Sequence, residues 1–365
     1  MNKKILLLCV SSQSVINFRQ TLIKKLQAEK YDVSVVAFDE DYKKEVQDLG
    51  VDFYCIQDKN RGLNPLKILS LKSKYYKLIK EISPDIVFTF MLKSNTFGVM
   101  GAKKAGVKKI FSMVEGAGDV FIKNTLKWKV IRFVVCLLYK RAFMYSNKVF
   151  FLNNDDKQEF VARKLVKEEQ SVVIHGIGVD LEYFAFKPIK NEKTFLMIAR
   201  MLRTKGVLEY CQTARLVKHK YPDAVFNYLG AEGDLKLTDI QEYIDDGSIN
   251  YLGTTKDVRP YLEDCTLLLL LSNYREGLPM SIMEAQSVGR AVITSKNVGC
   301  RDTVVDSVNG FLVEQRDYKT MAEKCIWAIE QPEKAEEMGK NARAFAEENF
   351  DSIKINEIIC REIKE

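Results

Sequence analysis

Two glutamates stand with seven residues between them in SNYREGLPMSIMEAQSVGRAV (272–292): Glu276 and Glu284. The apolar run TLLLLLS before them reads as a buried strand that ends at Ser272. Gly277 and Pro279 prevent a regular helix at Glu276. Pro279 suits the first helical position, and Gly289 suits the residue just past the end. Glu276 is therefore expected in the loop that leaves a strand, and Glu284 about a turn inside the helix that follows. A helix start offers unpaired N–H groups and partial positive charge to a phosphate or a polar sugar, and a carboxylate accepts well from a vicinal diol. A glutamate near a helix start is also favoured by the helix dipole alone. A second set lies in ARMLRTKG (199–206), after another apolar run. Arg200 and Lys205 there can neutralise a diphosphate, the arginine as a bidentate fork and the lysine as a point charge. A solvated basic loop is the alternative, and Arg203 reads as part of one.

Such loops need strands and helices to hold them. In the front half KILLLCV, DVSVVAF, DFYCIQ, DIVFTF, KIFSMV and KVFFLN read as strands, separated by segments of helical spacing such as INFRQTLIKKLQAEK. In the back half TFLMIA, AVFNYLG, INYLG, TLLLLLS, AVITS and GFLV repeat the theme. Strand–helix alternation predicts an α/β chain with parallel sheets covered by helices. The expectation is two Rossmann-like domains, 1–182 and 183–349, facing an interdomain cleft, with a C-terminal helix (350–365) packing back on the first. Open parallel sheets bind ligands beyond the carboxyl ends of their strands.

Composition narrows the chemistry. At 365 residues the chain exceeds one ordinary core. Its eight cysteines are scattered without a C-x-x-C pair, which reads as reduced core thiols rather than disulfides or zinc ligands. Only His175 and His219 are present, so a histidine-based metal site or a Ser-His-Asp triad has little support. No signal peptide is visible, and no apolar run approaches a membrane span. Charge is uneven: residues 1–180 hold 31 Lys/Arg against 19 Asp/Glu, and the remainder 25 against 30, so +12 and −5 give the total of +7. The basic front half predicts an anionic partner there.

ARMLRTKG, YLGTTKDVRPYLEDCTLLLLLSNYREGLPMSIMEAQSVGRAVITS and DSVNGFLV resemble the donor-binding domain of the family 4 retaining glycosyltransferases, which have the GT-B fold. The resemblance covers most of residues 190–330. It implies that Glu284 holds the ribose hydroxyls of a sugar nucleotide. It implies that Arg200 and Lys205 hold the diphosphate, and that Glu276 with the amides of Gly277, Leu278 and Met280 holds the donor sugar. It also implies metal independence and no cofactor, since two cations can do the work of a divalent ion. The only D-x-D, Asp39 to Asp41, reads as a solvated acidic turn.

The front half is then expected to take the acceptor. SSQSVINFRQ (11–20) follows the first strand and places Arg19 near a helix start. FMLKSNTFG (90–98) sets Lys93, Ser94 and Asn95 at the mouth of another strand. MVEGAGDVF (113–121) ends a third strand at Glu115, followed by Gly116 and Gly118, which allow close backbone approach. Arg19 and Lys93 can meet an anionic acceptor, and Asn95 is expected beside them in the acceptor site; Glu115 reads either as a base or as an acceptor-hydroxyl ligand. Many family 4 members carry a histidine in this region, and none occurs here. The loop after the first strand is SSQS where many members have glycines. From 120 to 154 there are seven Lys/Arg and no Asp or Glu. With Trp128, Phe133, Leu137, Leu138 and Tyr139, this stretch reads as a basic amphipathic helix, half core and half contact with an anionic membrane surface.

FRQ, KSNTFG and VEGAG resemble a narrower bacterial group that adds an N-acetylhexosamine to a sugar carried on undecaprenyl diphosphate in protein N-glycosylation. That likeness implies UDP-GalNAc as donor, a polyprenyl-diphosphate-linked glycan as acceptor, an α-1,3 linkage, and a place at the cytoplasmic face of the membrane. Capsule, O-antigen or exopolysaccharide synthesis is the alternative setting. A sugar-nucleotide epimerase and a non-catalytic nucleotide-sugar binder share the architecture. No nucleic-acid partner is expected, because the front-half cations interleave with apolar positions rather than forming a binding module.

Overall fold

The computed structural model describes residues 2–57, 65–190 and 193–365. The chain forms two compact units, residues 1–177 with 352–365, and residues 178–351. The division thus falls five residues before the expected 182/183, and the C-terminal helix belongs to the first unit.

The first unit is built on strands β1 (Lys4–Leu8), β2 (Asp32–Ala37), β3 (Asp52–Cys55), β4 (Ile86–Phe90), β5 (Lys109–Val114), β6 (Lys148–Phe151) and β7 (Ser171–Val173). They lie in the order β3-β2-β1-β4-β5-β6-β7, and all pairs are parallel. β7 has no counterpart in the sequence reading. Three residues of half-buried pattern carry too little periodicity to stand out. Central strands such as KILLL and IVFTF are apolar along their length because both faces are covered. The helix Ser352–Lys364 packs Ile355, Ile359, Cys360 and Ile363 into this unit. Lys109 Nζ donates to its last carbonyls, Ile363 at 3.1 Å and Lys364 at 3.2 Å, where a cation is favoured by the helix dipole.

The second unit holds β8 (Thr194–Ile198), β9 (Val225–Leu229), β10 (Asn250–Tyr251), β11 (Leu267–Leu270), β12 (Ala291–Ser295) and β13 (Gly310–Val313). Their order is β10-β9-β8-β11-β12-β13, again parallel throughout. In both sheets the chain winds outward on one side and returns to wind out on the other. The reversal lies between β1 and β4 in the first unit, and between β8 and β11 in the second. Loops leaving those two strands part there and open a crevice at the carboxyl edge.

The segment entering the second unit is tied down by two arginines. Arg290 is fully buried and donates to Lys187 O at 2.7 Å, Leu262 O at 2.9 Å and Glu263 O at 2.9 Å. Arg343 donates to Ser287 O at 2.6 Å and Phe184 O at 3.0 Å. A buried guanidinium is tolerated because it satisfies carbonyls that would otherwise lack donors. Arg290→Met is expected to cost about 3 kcal/mol or more, since several buried carbonyls lose their partner at once. A denaturant midpoint unchanged from wild type would remove this role.

Candidate active site

The crevice between β8 and β11 collects the sequence candidates of the back half. The loop after β8 (199–206) carries Arg200 and Lys205, and the loop after β11 carries Glu276. The helix Met280–Val288 begins beyond it and carries Glu284. Pro279 is its cap rather than its first residue: its ψ of 121° is extended, and the φ that its ring restricts suits a turn into the helix. Gly289 closes the helix in the left-handed conformation, φ 87°.

Lys205 and Glu276 are a pair. Lys205 Nζ lies 2.5 Å from Glu276 Oε1, and the Ser272 hydroxyl donates to the same oxygen at 2.7 Å. Glu276 is buried and Lys205 half-buried. The two loops are stitched together by Asn273 N–H donating to Thr204 O at 2.7 Å. Gly206, at φ +79°, lets the first loop approach β11 closely: a Cβ there would lie 2.5 Å from Leu271 O. From the other side Asn297 donates to Tyr274 O at 2.6 Å, and Ser295 to Ser272 O at 2.6 Å. Ser272, Asn273 and Asn297 escaped the sequence reading. Small polar residues at strand ends are common, and only the sheet order brings these three together.

Two groups at this edge are unspent. Arg200 is exposed and its guanidinium has no partner among the described residues. Glu284 is half-buried and likewise has no hydrogen-bond or ion-pair partner among them. Burial pushes its carboxyl up to about 7. At the start of the same helix the Leu278 and Met280 amides donate to no described group, as the first turn of a helix requires of its N–H groups. Together these place a paired carboxylate–ammonium, a free guanidinium, open amides and an unsatisfied carboxyl on one edge. That set suits a ligand with a diphosphate and vicinal hydroxyls.

The front crevice, between β1 and β4, is organised differently. Ser11 caps the helix Ser12–Phe18, and Ser12 donates through N–H and hydroxyl to Asp39. The SSQS loop is therefore pinned by its own hydroxyls, and Asp39 is a tie rather than part of a solvated turn. Arg19 and Glu115 form an ion pair. The arginine is only 2% exposed and lies over the Phe90 ring, 4.1 Å from its centroid. Burial lowers its pKa to about 10, which leaves it charged, and raises that of neighbouring Cys9 to about 11. Arg19 therefore does not reach solvent, where an anionic acceptor was expected to meet it. Asn95 departs from its expected role too. It is fully buried, donates to Met113 O at 2.7 Å and accepts from Thr89 Oγ at 2.7 Å. Residues Ser94–Gly98 form a π-helical turn, which turns Asn95 inward to join β4 and β5. Lys93 remains half-buried at the edge, 5.5 Å from the Phe38 ring.

The basic helix spans Leu126–Phe143. Val135, Tyr139, Ala142 and Phe143 are buried, and Tyr139 stacks on Phe143 at 5.0 Å. Tyr139 is thus core rather than surface. Leu126, Val130, Phe133, Val134 and Leu137 are exposed at helical spacing, Leu126 at 80% and Phe133 at 65%. Lys127, Lys129, Lys140 and Arg141 are exposed beside them. Trp128 is half-buried beneath Lys123, 4.7 Å from its ring. No helix among the described residues is long and apolar enough to cross a membrane.

The family described as glycosyl transferases group 1 matches residues 180–345, and the family described as glycosyl transferase 4-like matches residues 4–153. The chain is 30% identical to the N,N'-diacetylbacillosaminyl-diphospho-undecaprenol alpha-1,3-N-acetylgalactosaminyltransferase of Campylobacter jejuni, over 90% of each chain. It is 26% identical to the UDP-Gal:alpha-D-GlcNAc-diphosphoundecaprenol alpha-1,3-galactosyltransferase of Escherichia coli, over 90% of this chain and 88% of that one. Among solved structures, Anabaena Alr3699/HepE in complex with UDP-glucose shares the fold, with a TM-score of 0.81 at 19% identity over 99% of both chains.

Glu284 sets a pH dependence of stability. Its ordinary value is 4.5, and burial raises it to about 7. Below 4.5 both folded and unfolded chains hold the proton, so the group is neutral to stability. Between these values the unfolded chain releases a proton that the folded chain keeps, so stability falls as pH rises, and above about 7 the loss is complete. Glu284→Gln is expected to melt higher than wild type at about pH 8, and level with it near pH 4.5. Equal melting at the higher pH would exclude a destabilised carboxylate.

Proposed function

Because the chain belongs to the glycosyl transferase 4-like, group 1 glycosyltransferases and has their two-domain GT-B fold, we propose that it moves N-acetylgalactosamine from UDP-GalNAc to an undecaprenyl-diphosphate-linked sugar, with an α-1,3 linkage and retained anomeric configuration. The observation that carries the donor half is the edge after β8 and β11, with Glu284 unpartnered among the described residues and Arg200 exposed. The acceptor class rests on the two named relatives, which share an undecaprenol diphosphate and an alpha-1,3 linkage in their names. The setting is assembly of a lipid-linked glycan for protein N-glycosylation.

In this reading Glu284 accepts from the ribose hydroxyls. Arg200 and Lys205 carry the charge that grows on UDP as the bond between its phosphate oxygen and the sugar C1 breaks, the largest electrostatic demand of the step. Glu276 faces the donor sugar with the Gly277, Leu278 and Met280 amides. Its grip by Lys205 and Ser272 favours an orienting and cation-stabilising carboxylate over a nucleophile, which would need to move onto C1. The acceptor oxygen bonds to C1 on the face that UDP leaves. Glu115 accepts the hydrogen bond of that hydroxyl, and its proton passes to Glu115 or to a phosphate oxygen of UDP. Lys93 meets the acceptor diphosphate. No metal is called for, because two protein cations stand at the diphosphate. The stripe Leu126, Val130, Phe133 and Leu137, with lysines beside it, lies against the anionic cytoplasmic face of the membrane, where the acceptor is held.

A screen of UDP-sugars against a short polyprenyl-diphosphate-linked monosaccharide tests the reaction. UDP-GalNAc is expected to give a single α-1,3-linked product, read by NMR, at the same rate with EDTA present. Product from UDP-Gal or UDP-Glc alone would overturn the sugar assignment, and loss of activity in EDTA the metal-independent step. Phe133→Asp with Leu137→Asp is expected to abolish flotation with phosphatidylglycerol vesicles while leaving UDP affinity intact. Undiminished flotation would place the membrane contact elsewhere.

A further inference from the structure

We propose that Arg19 is a positioning residue for Glu115: it holds the Glu115 carboxylate in place with one face open at the front crevice, without touching substrate itself. The inference rests on the reading of Glu115 as the ligand of the acceptor hydroxyl.

Arg19 interrupts two helices. Ser12–Phe18 ends at it and Gln20–Ala28 begins after it, and its own φ of −124° with ψ of −6° is outside the helical range. The break falls at the end of the first helix after β1, and the side chain runs beneath the carboxyl edge of the sheet. There the guanidinium lies over the ring of Phe90, the last residue of β4, beside Cys9, the residue after β1. Nη1 donates to Phe18 O at 3.2 Å, and Nη2 pairs with Glu115, the residue after β5. One side chain thus links the ends of three strands around the switch point.

The pair is one-sided. The Arg19 side chain is 3% exposed and that of Glu115 17%. Arginine forms the sealed floor, and the carboxylate keeps an open face. The loop beyond is held independently, since the Ala117 N–H donates to Asp156 Oδ2 at 3.1 Å. Gly116 at φ +142° and Gly118 at φ +67° turn the backbone away from the carboxylate in conformations side chains disfavour. Burying a charged pair of this kind does little for stability compared with apolar residues of the same volume. What it does supply is a fixed direction. A carboxylate that must accept from a hydroxyl needs one, and a guanidinium held by Phe18 O and the Phe90 ring fixes the place of the Glu115 oxygen that Nη2 meets.

A double-substitution cycle tests this, with turnover and UDP-sugar KM measured on the full chain. Arg19→Met is expected to lower kcat about a hundredfold, as misplacement of a reacting group does, with KM for the UDP-sugar unchanged. In a Glu115→Gln chain the same Arg19→Met change is expected to alter kcat by less than about twofold, because the group it positions is gone. Arg19→Lys keeps the charge without the fork and is expected to recover part of the rate. If Arg19→Met does not fold, the lysine variant in the two backgrounds gives the same comparison. An equal loss in both backgrounds would make Arg19 merely structural and overturn the proposal. Full activity in Glu115→Gln would instead overturn the acceptor role of Glu115, whatever Arg19 does. A slow Glu115→Gln beside a fully active Arg19→Met would sink the positioning role alone.

Discussion

Crossovers between parallel strands are right-handed, and that single constraint shapes both halves of this chain. A chain that winds outward from its first strand can use the other side of that strand only by reversing direction. The reversal leaves two neighbouring strands whose following loops diverge. β1 and β4 are one such pair, and β8 and β11 are the other. The chemistry-bearing residues lie in the segments that follow these strands or the strand beside them, on loops or on the first helix. The apolar cores of the sheets, the buried arginines that tie the second unit, and the glycines that let loops approach all serve to hold these edges rigid.

Each edge holds a cation–carboxylate pair, but the two pairs differ in what is buried. On the back unit Glu276 is the sealed partner and Lys205 keeps more surface. On the front unit the cation, Arg19, is sealed and Glu115 keeps the open face. In each pair the sealed member is fixed in place and the other keeps more of its surface open. Lysine at the back can swing as a compact point charge towards a phosphate. Arginine at the front cannot leave its place on Phe90, so its effect passes through the carboxylate.

Glu284 shows what such a site costs. A carboxyl without a partner among the described residues, desolvated by its surroundings, is pushed up to about 7, so its charged form is disfavoured in the folded protein. The basic helix is a similar compromise. Its inner face completes a core of stacked aromatics around Phe160, while Leu126, Phe133 and Leu137 stay in water unless a surface of matching chemistry covers them.

The strand–helix alternation, and the placing of Arg200, Lys205 and Glu276 on loops after strands with Glu284 on the helix that follows, were legible in the residues alone. Buried parallel strands must be apolar, and a Gly-Pro break before a helix marks a loop wherever it occurs. Those signals are local, so sequence spacing carries them. Three things were not legible. The short β7 has too few residues to declare a period. Asn95 stands in a polar stretch that reads as a mouth, yet a π-helical turn rotates it into the core. Arg19 and Glu115 read as two separate acceptor ligands 96 positions apart, and only the strand order β1-β4-β5 made them one ion pair. Sequence by itself decided which elements form and which loops are polar. Tertiary structure alone decided which polar side chains satisfy one another and which are left for a ligand, because burial and pairing depend on neighbours that the chain order does not name.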